Sequence, residues 1–367
     1  MTALADRVLI DPATIPLAHN EFTKEGLAAY AAAIDRDPPP DLSRQEYDSL
    51  DPTDRGAHDL DRLDWLANLP TVHTETVEDV LDHLHGQFDM NRRSRKPGPR
   101  VGTIIDGPPT TGKSTILRRF CAEVINKAPE WDGPDEHIEA SLVTLAAGTT
   151  VKIFNQLVCR FYAIPYEGRT ESWMTDRIID TANACGTKVF GIDDVHFLDM
   201  RYRGAHHVNN HIKRLASEIP ATFLMAGVDC DKAQLFSEGM IGNGLGHGQV
   251  SGRMAVVNLD RVLRHTDEGA DTWGYMVADF ADQLRLVDTT PAHVEALEHH
   301  LHAVTGGLIG PLAHVLSMAA SRIIDQAMRG KRTDELMTTD DIDAVLIPRV
   351  RTAPTGGHGG KGSRRRT

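Results

Sequence analysis

The rhythm of apolar and polar positions changes twice along the chain. From about residue 101 to 259, short apolar runs rich in β-formers alternate with helical stretches. "VGTIID" predicts a buried strand, and a helix follows over about 113–127. "HIEASLVTL" predicts the next strand and 150–162 the next helix. "TKVFGID", a helix over about 205–217, "ATFLMAGV" and a late strand at "MAVVNL" complete the series. Strands alternating with helices predict an α/β fold, a parallel sheet covered on both faces. Beyond about residue 273 the pattern is wholly helical, in "TWGYMVADFADQLRLV", "PAHVEALEHHLHAV", "LIGPLAHVLSMAASRIIDQAMRG" and "TTDDIDAVLIPRV". Ahead of the sheet, "TETVEDVLDHLHGQF" predicts an amphipathic helix with Thr74 as N-cap. Two helical stretches precede it: "EFTKEGLAAYAAAIDRD", stopped by Pro38, Pro39 and Pro40, and "DLSRQEYDSLDPTDRGAHDLDRLDWLANLP", with Trp65 among its apolar positions.

Composition narrows the class. With 367 residues and 41% hydrophobic content the chain can bury a sizeable core in two or three pieces. A net charge of −13 excludes a generally basic, DNA-coating protein, so any nucleic-acid contact must come from a local patch. Residues 1–60 carry 12 Asp or Glu against five Lys or Arg, whereas "NRRSRKPGPR" is a basic, Pro/Gly-containing loop. Cys121, Cys159, Cys185 and Cys230 form no C-x-x-C and each lies in or beside an apolar stretch. They are expected as buried thiols in a reducing cytoplasm, not as zinc ligands or disulfides. The first residues lack a signal-peptide pattern, and no apolar run approaches the roughly 18 residues of a membrane span, so a cytoplasmic protein with no membrane partner is expected. The Gly-rich basic tail, 351–367, is expected to be disordered. His207 and His211 have the i, i+4 spacing of zinc ligands, but without a third ligand these histidines, with His206 and the His299, His300, His302 cluster, are expected on the surface.

Chemistry concentrates in two motifs. Gly107, Pro108, Pro109, Thr110, Thr111, Gly112, Lys113 and Ser114 fit G-x-x-x-x-G-K-[ST] between a predicted strand and a predicted helix. That arrangement aims backbone N–H groups and a helix N-terminus at one anion. Lys113 can reach the β- and γ-phosphates of ATP, the Ser114 hydroxyl can ligate Mg²⁺, and Thr115 lies beside the phosphates. "KVFGIDDVHFLD" supplies an apolar strand ending in Asp193, placed to hold Mg²⁺. Asp194 then occupies the position of a hydrolytic base, one methylene shorter than Glu. Asp229, at the end of the next strand, either helps place the attacking water or caps the following helix. The glycines from Gly239 to Gly252 predict a mobile loop ending at Arg253. Arg253 either projects into a neighbouring subunit's γ-phosphate or pairs with a local acid.

In this order, "DWLANLPTVHTETVEDVLDHL", "GPPTTGKSTILRRF", "IDDVHFLDMRYRGAHHVNNHIKRLASEIPATFLMAGV", "QVSGRM" and "TGGLIGPLAHVLSMAASRIIDQAMRG" resemble the TniB family of bacterial transposition AAA+ ATPases, with its relatives TnsC and IstB, over roughly 65–345. The resemblance implies a RecA-like αβα sandwich at 61–270 and a helical lid at 271–350; the acidic segment 1–60 carries no motif of the family and is expected either as a helical extension packing on the next domain or as an adaptor. It also implies ATP-dependent rings or filaments on double-stranded DNA, and control of a partner transposase or integrase, with a target-selector protein as a further partner. Arg253 matches the family's arginine finger. Lys152, Arg201 and Arg203 fall where such ATPases present loops to the DNA backbone, although each also reads as a solvated surface charge. The sequence departs from the pattern in having Asp194 where Glu is usual. In "GGLIGPL" no Arg stands where many AAA+ lids carry a basic sensor, and His314 is the nearest substitute. A second function class is a nucleotide-driven signalling or phage-defence switch whose output is oligomerisation without DNA. A small-molecule kinase is disfavoured by the helical lid, by Arg253 and by the lack of a phosphoacceptor pocket.

Overall fold

The computed structural model describes residues 20–96, 98–198, 203–230 and 254–346, with the side chains of 203–205 left aside. In chain order the helices of the first half are α1 (Lys24–Ala33), α2 (Arg44–Ser49), α3 (Pro52–Ala67), α4 (Glu75–Arg93), α5 (Lys113–Asn126), α6 (Val151–Phe161) and α7 (Glu171–Ala184). They are followed by α8 (Arg203–Glu218), α9 (Asp267–Ala281), α10 (Pro291–Glu295), α11 (Glu298–Thr305), α12 (Ile309–Met328) and α13 (Thr339–Asp343). The strands are β1 (Gly102–Asp106), β2 (Ala140–Thr144), β3 (Val189–Asp193), β4 (Thr222–Gly227) and β5 (Met254–Asn258).

The five strands form one parallel sheet in the order β2-β3-β4-β1-β5. The chain leaves β1, crosses to the far edge at β2, returns through β3 and β4, and finishes on the other side of β1. Ligands of open α/β sheets lie beyond the carboxyl ends of the strands, where the winding direction changes. Here that place is the end of β1. β1, β3 and β4 are buried along their whole length, as a sheet covered on both faces requires.

Local chemistry explains the boundaries. Thr74 caps α4 by accepting from the Val77 amide, acids fill the first turn, and Arg92 and Arg93 fill the last, matching the helix dipole at both ends. The single helical stretch expected after the proline run is two helices. Asp51 accepts from the Thr53 and Asp54 amides and Pro52 opens α3, so a new helix starts there. "PAHVEALEHHLHAV" likewise divides into α10 and α11. α7, which Thr170 caps through the Trp173 amide, is a helix that the apolar pattern does not predict.

Two large apolar cores result among the described residues, beside a small cluster of Ala31, Ile34 and Ala122. One surrounds the sheet, with Phe120, Phe154, Phe161 and Phe190 fully buried; the other fills the lid, with Trp273, Phe280, Leu316 and Ile323. The N-terminal helices divide between them. α1 packs on α5, whereas α3 packs on α12 and places Trp65 in the lid core. The Trp65 indole N–H donates to the Gln283 carbonyl at 2.9 Å.

Not all of the histidines are on the surface. His211 is 8% exposed, its Nε2 lies 2.7 Å from the Asn155 Oδ1, and its ring meets Phe154 edge-on. The Asn155 amide also bonds the Thr175 hydroxyl at 2.9 Å, so this network joins α6, α7 and α8. Burial lowers the His211 pKa to about 4. A pKa depressed by folding means that the unfolded chain binds the proton more readily. The stabilising contribution is therefore complete above the unfolded pKa of about 6.5 and is lost as pH falls from there toward 4. To the pH slope of urea unfolding between these values His211 is expected to contribute up to about 1.4 kcal/mol per pH unit, so His211→Asn should make that slope shallower.

Candidate nucleotide site

β1 ends in Asp106, a buried carboxylate whose Oδ1 accepts from the Gly107 amide at 2.8 Å and from the Cys230 amide at 3.1 Å. It ties the start of the phosphate-binding loop to the end of β4. Gly107 has φ +152°, and a Cβ there would lie 2.0 Å from the Leu259 carbonyl oxygen, so no other residue fits without moving the chain after β5. Pro108 and Pro109 have no amide hydrogen, so the loop's backbone donors begin at Thr110, which holds φ +65°. Gly112 follows at φ +89° and α5 begins at Lys113.

Lys113 is 7% exposed. Its Nζ donates to the Pro108 carbonyl at 2.5 Å and lies 3.4 Å from the Thr111 Oγ1, and that hydroxyl itself donates to Pro108 at 2.9 Å. Burial lowers the ammonium's pKa, opposed by the charge of Asp106. An ammonium held by a carbonyl, in a left-handed loop at a helix N-terminus, is built to take an anion. Facing it, Asp193 ends β3. Burial raises its pKa, while the Ser114 side chain and the Asp194 amide, at 2.8 Å, bond the carboxylate and pull it down. A desolvated carboxylate beside a hydroxyl is an all-oxygen donor pair short of positive charge. It fits Mg²⁺, which binds through one or two carboxylates and substrate phosphates.

The lid closes directly on this loop. The Gly310 amide in the first turn of α12 donates to the Thr110 carbonyl at 3.0 Å, and Ile309 Cγ2 lies 3.5 Å from the ideal Cβ of Gly112. A Cβ at Gly310 would lie 2.8 Å from the Thr110 oxygen. The chain after β5 is fixed at both ends: the Leu259 amide donates to Asp106 O and the Val262 amide to Gly307 O, each at 2.8 Å.

Residues 99–235 match the model of the AAA domain family. Together with the strand order and the loop just described, this decides the domain. The chain carries an AAA-type P-loop ATPase domain. Its fold is that of an AAA+ P-loop NTPase, with helical extensions. Among solved structures, that of the Aeropyrum pernix ORC1 protein in complex with DNA superimposes with a TM-score of 0.53 at 12% identity, covering 76% of this chain and 67% of that one. The Aeropyrum pernix ORC2 protein, in ADPNP–ADP complexes, gives 0.48 at 13% identity, covering 84% and 69%. A Walker-type ATPase of Pyrococcus abyssi gives 0.44 at 13%, covering 73% and 69%. At these identities the likeness is one of fold. No curated protein matches the chain.

Around the AAA-type loop, the other sequence-derived candidates are placed as follows. Asp194 sits at φ +57°, with its side chain 42% exposed; its Oδ2 accepts from the Thr144 hydroxyl at 3.2 Å and its Oδ1 is 3.8 Å from His196 Nδ1. Thr144, at the end of β2, was not a candidate from sequence, because 50 residues separate it from Asp194. Asp229 is exposed at φ +51°, and the chain turns there so that the Cys230 amide bonds Asp106. Lys152 is exposed in the first turn of α6, beyond the carboxyl end of β2, beside Ile153 at 43% exposure. Arg203 opens α8. Arg201, Arg253, the Gly239–Gly252 stretch and the tail lie outside the described residues. On α12, His314 is exposed. Asp106 was legible as a strand-end acid immediately before the glycine loop, although the sequence reading gave it no role.

Proposed function

We propose that this protein is an ATP-hydrolysing AAA+ regulator that oligomerises on double-stranded DNA in the cytoplasm and controls a partner transposase, in the manner of TniB-type transposition proteins. The observation that carries the reading is the joint made by the phosphate-binding loop, Asp193 and the first turn of α12. The phosphate-binding loop of the sheet domain touches the lid directly, so the state of a nucleotide held there can be transmitted to the shape of the subunit. The resemblance in "IDDVHF" and "TGGLIGPL" supports transposition as the setting, and the fold likeness to an ORC1 protein solved with DNA is compatible with a DNA partner.

In this reading Thr110, Thr111, Gly112, Lys113, Ser114 and Thr115 hold the phosphates of ATP, and Ser114 and Asp193 hold Mg²⁺. The metal, when bound, neutralises charge on the phosphates. Asp194 takes the proton of the attacking water, with Thr144 fixing one carboxylate oxygen, and Asp229 assists in placing that water. Arg253 of a neighbouring subunit stabilises charge on the transferred group. Lys152, Arg201 and Arg203 contact DNA phosphates, and residues 1–60 serve as the adaptor for the transposase or target selector.

Asp194→Asn is expected to bind ATP as tightly as the parent and to release phosphate about 100-fold more slowly. Undiminished release would remove Asp194 from the reaction. Arg253→Ala should likewise leave binding intact and slow turnover of the assembled protein about 10³-fold; equal turnover would reject the finger role. The whole reading is tested by ATP turnover with and without duplex DNA at about 50 and about 200 mM salt. Stimulation that fades at the higher salt is expected. DNA-independent turnover at both salts would favour instead an oligomeric signalling switch, a reading that the net charge of −13 supports.

A further inference from the structure

The basic stretch 91–100, the last residues of α4 and the chain that follows them, plays no part in the nucleotide site. It carries Arg92, Arg93, Arg95, Lys96 and Arg100 and no acid, in a chain whose net charge is −13. The fold brings a further cation to it from a distant element. Lys188, just before β3, lines one cavity of about 360 Å³ together with Arg92, Arg100, Asn91, Phe88 and Thr222. Asn91 fixes the floor, donating to the Val101 carbonyl at 2.8 Å and the Thr222 hydroxyl at 2.9 Å. The Arg100 guanidinium gathers the loop around itself, bonding the Lys96 carbonyl at 2.9 Å and the Ser94 carbonyl at 3.0 Å. Arg92 stands 5.4 Å from the Phe88 ring centroid, which steadies its charged head at the cavity.

Elsewhere in the described residues most buried and half-buried arginines are paired with carboxylates, among them Arg44, Arg62, Arg118, Arg119, Arg264 and Arg332, whereas Arg55 bonds the Asp48 and Leu50 carbonyls. Among the described residues, none of the six cations of this patch has a carboxylate within ion-pair distance, and no acid lines the cavity. Arg92 and Arg93 offset the dipole of α4, but Arg95, Lys96 and Lys188 cap no helix. Unpaired like charges drawn together from two elements repel one another, and folding does not require them. A ligand that brings several negative charges removes the repulsion, and arginine forks match phosphate oxygens in geometry.

We infer that this patch, formed by Arg92 and Arg93 at the end of α4, Arg95, Lys96 and Arg100 after it, and Lys188, at the amino-terminal edge of β3, β4 and β1, is a second contact for the phosphodiester backbone of duplex DNA. It lies across the sheet from the nucleotide, roughly 16 Å away for strands of this length. The inference rests on the DNA reading above but concerns a different face from Lys152. Contact at both edges of the sheet would let a duplex, or two segments of one, engage the subunit without passing the phosphate-binding loop. The contact is independent of sequence, since backbone phosphates carry no base information.

The test uses the full chain with Arg92, Arg93, Arg95 and Lys96 all changed to Gln, leaving Arg100 to hold the loop. Binding to a short fluorescent duplex is measured with a non-hydrolysable ATP analogue over a range of salt. The affinity is expected to fall about 100-fold at about 100 mM salt, and the slope of log affinity against log salt to shrink by about two to three. ATP affinity should be unchanged, showing that the variant is folded. If the parent binds duplex and the variant binds it equally, with the same slope, the patch inference is overturned and the DNA reading stands. If the parent binds no duplex even at low salt, both fall. Loss of binding to a polyglutamate peptide with no loss for duplex would also overturn it, by identifying the ligand as an acidic protein segment.

Discussion

Lys113→Ala is expected to lower ATP affinity by about 30-fold at least and by up to several thousandfold. Lys113 is the buried cation of the site, and losing one partner of a desolvated, hydrogen-bonded charge pair costs about 2–5 kcal/mol. The fold should be spared. In the structure the ammonium satisfies only a loop carbonyl and lies near a hydroxyl, and burial already acts against its charge. Lys113→Met, which keeps the aliphatic stem, should therefore melt close to the parent while showing the same loss of binding. Calorimetric titration with ATP and Mg²⁺ checks this directly. Unchanged affinity in either variant would show that the triphosphate is not held by this loop, whatever the fold.

Glu335→Ala is expected to destabilise the protein by about 3–5 kcal/mol, a large part of the roughly 5–15 kcal/mol that holds a domain folded. Glu335 is 1% exposed and Arg62 wholly buried. The carboxylate accepts from Arg62 Nη1 at 2.6 Å, Arg62 Nη2 at 2.9 Å and the Val287 amide at 2.9 Å. Arg62 also donates to Asp59 at 2.6 Å and to the Arg285 carbonyl at 3.0 Å, and the Tyr47 hydroxyl closes the cluster on Asp59 at 2.9 Å. Removing Glu335 leaves a buried guanidinium, whose Nε already has no partner, with one carboxylate in place of two. Because the cluster joins α3 to the lid, the loss should appear first as protease cleavage near residues 34–51, ahead of global unfolding. An unfolding free energy within about 0.5 kcal/mol of the parent would show that the apolar contact of Trp65 alone holds α3 on the lid.

The parts legible in the sequence are those encoded in contiguous residues. The glycine loop, the apolar strand ending in Asp193 and the Gly-Gly turn before α12 each carry their own backbone requirements. β1 to β5 could be read because each is a short apolar run bounded by polar residues. α7 escaped because "ESWMTDRIIDTANA" mixes polar and apolar positions with a weak stripe, and only Thr170 announces it. Pairings between distant residues were beyond reach. Arg62 and Glu335 are 273 positions apart, and nothing local in either stretch names the other. The same holds for the Thr144 hydroxyl on Asp194, and for Gly310 on Thr110. The division of the acidic N-terminal stretch, α1 to the sheet domain and α3 to the lid, is likewise a property of packing and not of pattern.

If ATP holds subunits together on DNA, sedimentation velocity of the full chain, with Mg²⁺ and a non-hydrolysable ATP analogue, should show a species several subunits in size only when duplex DNA is also present. Lys113→Ala should fail to form it. A distribution that ignores duplex, or an assembly that persists in Lys113→Ala, would contradict that role for ATP.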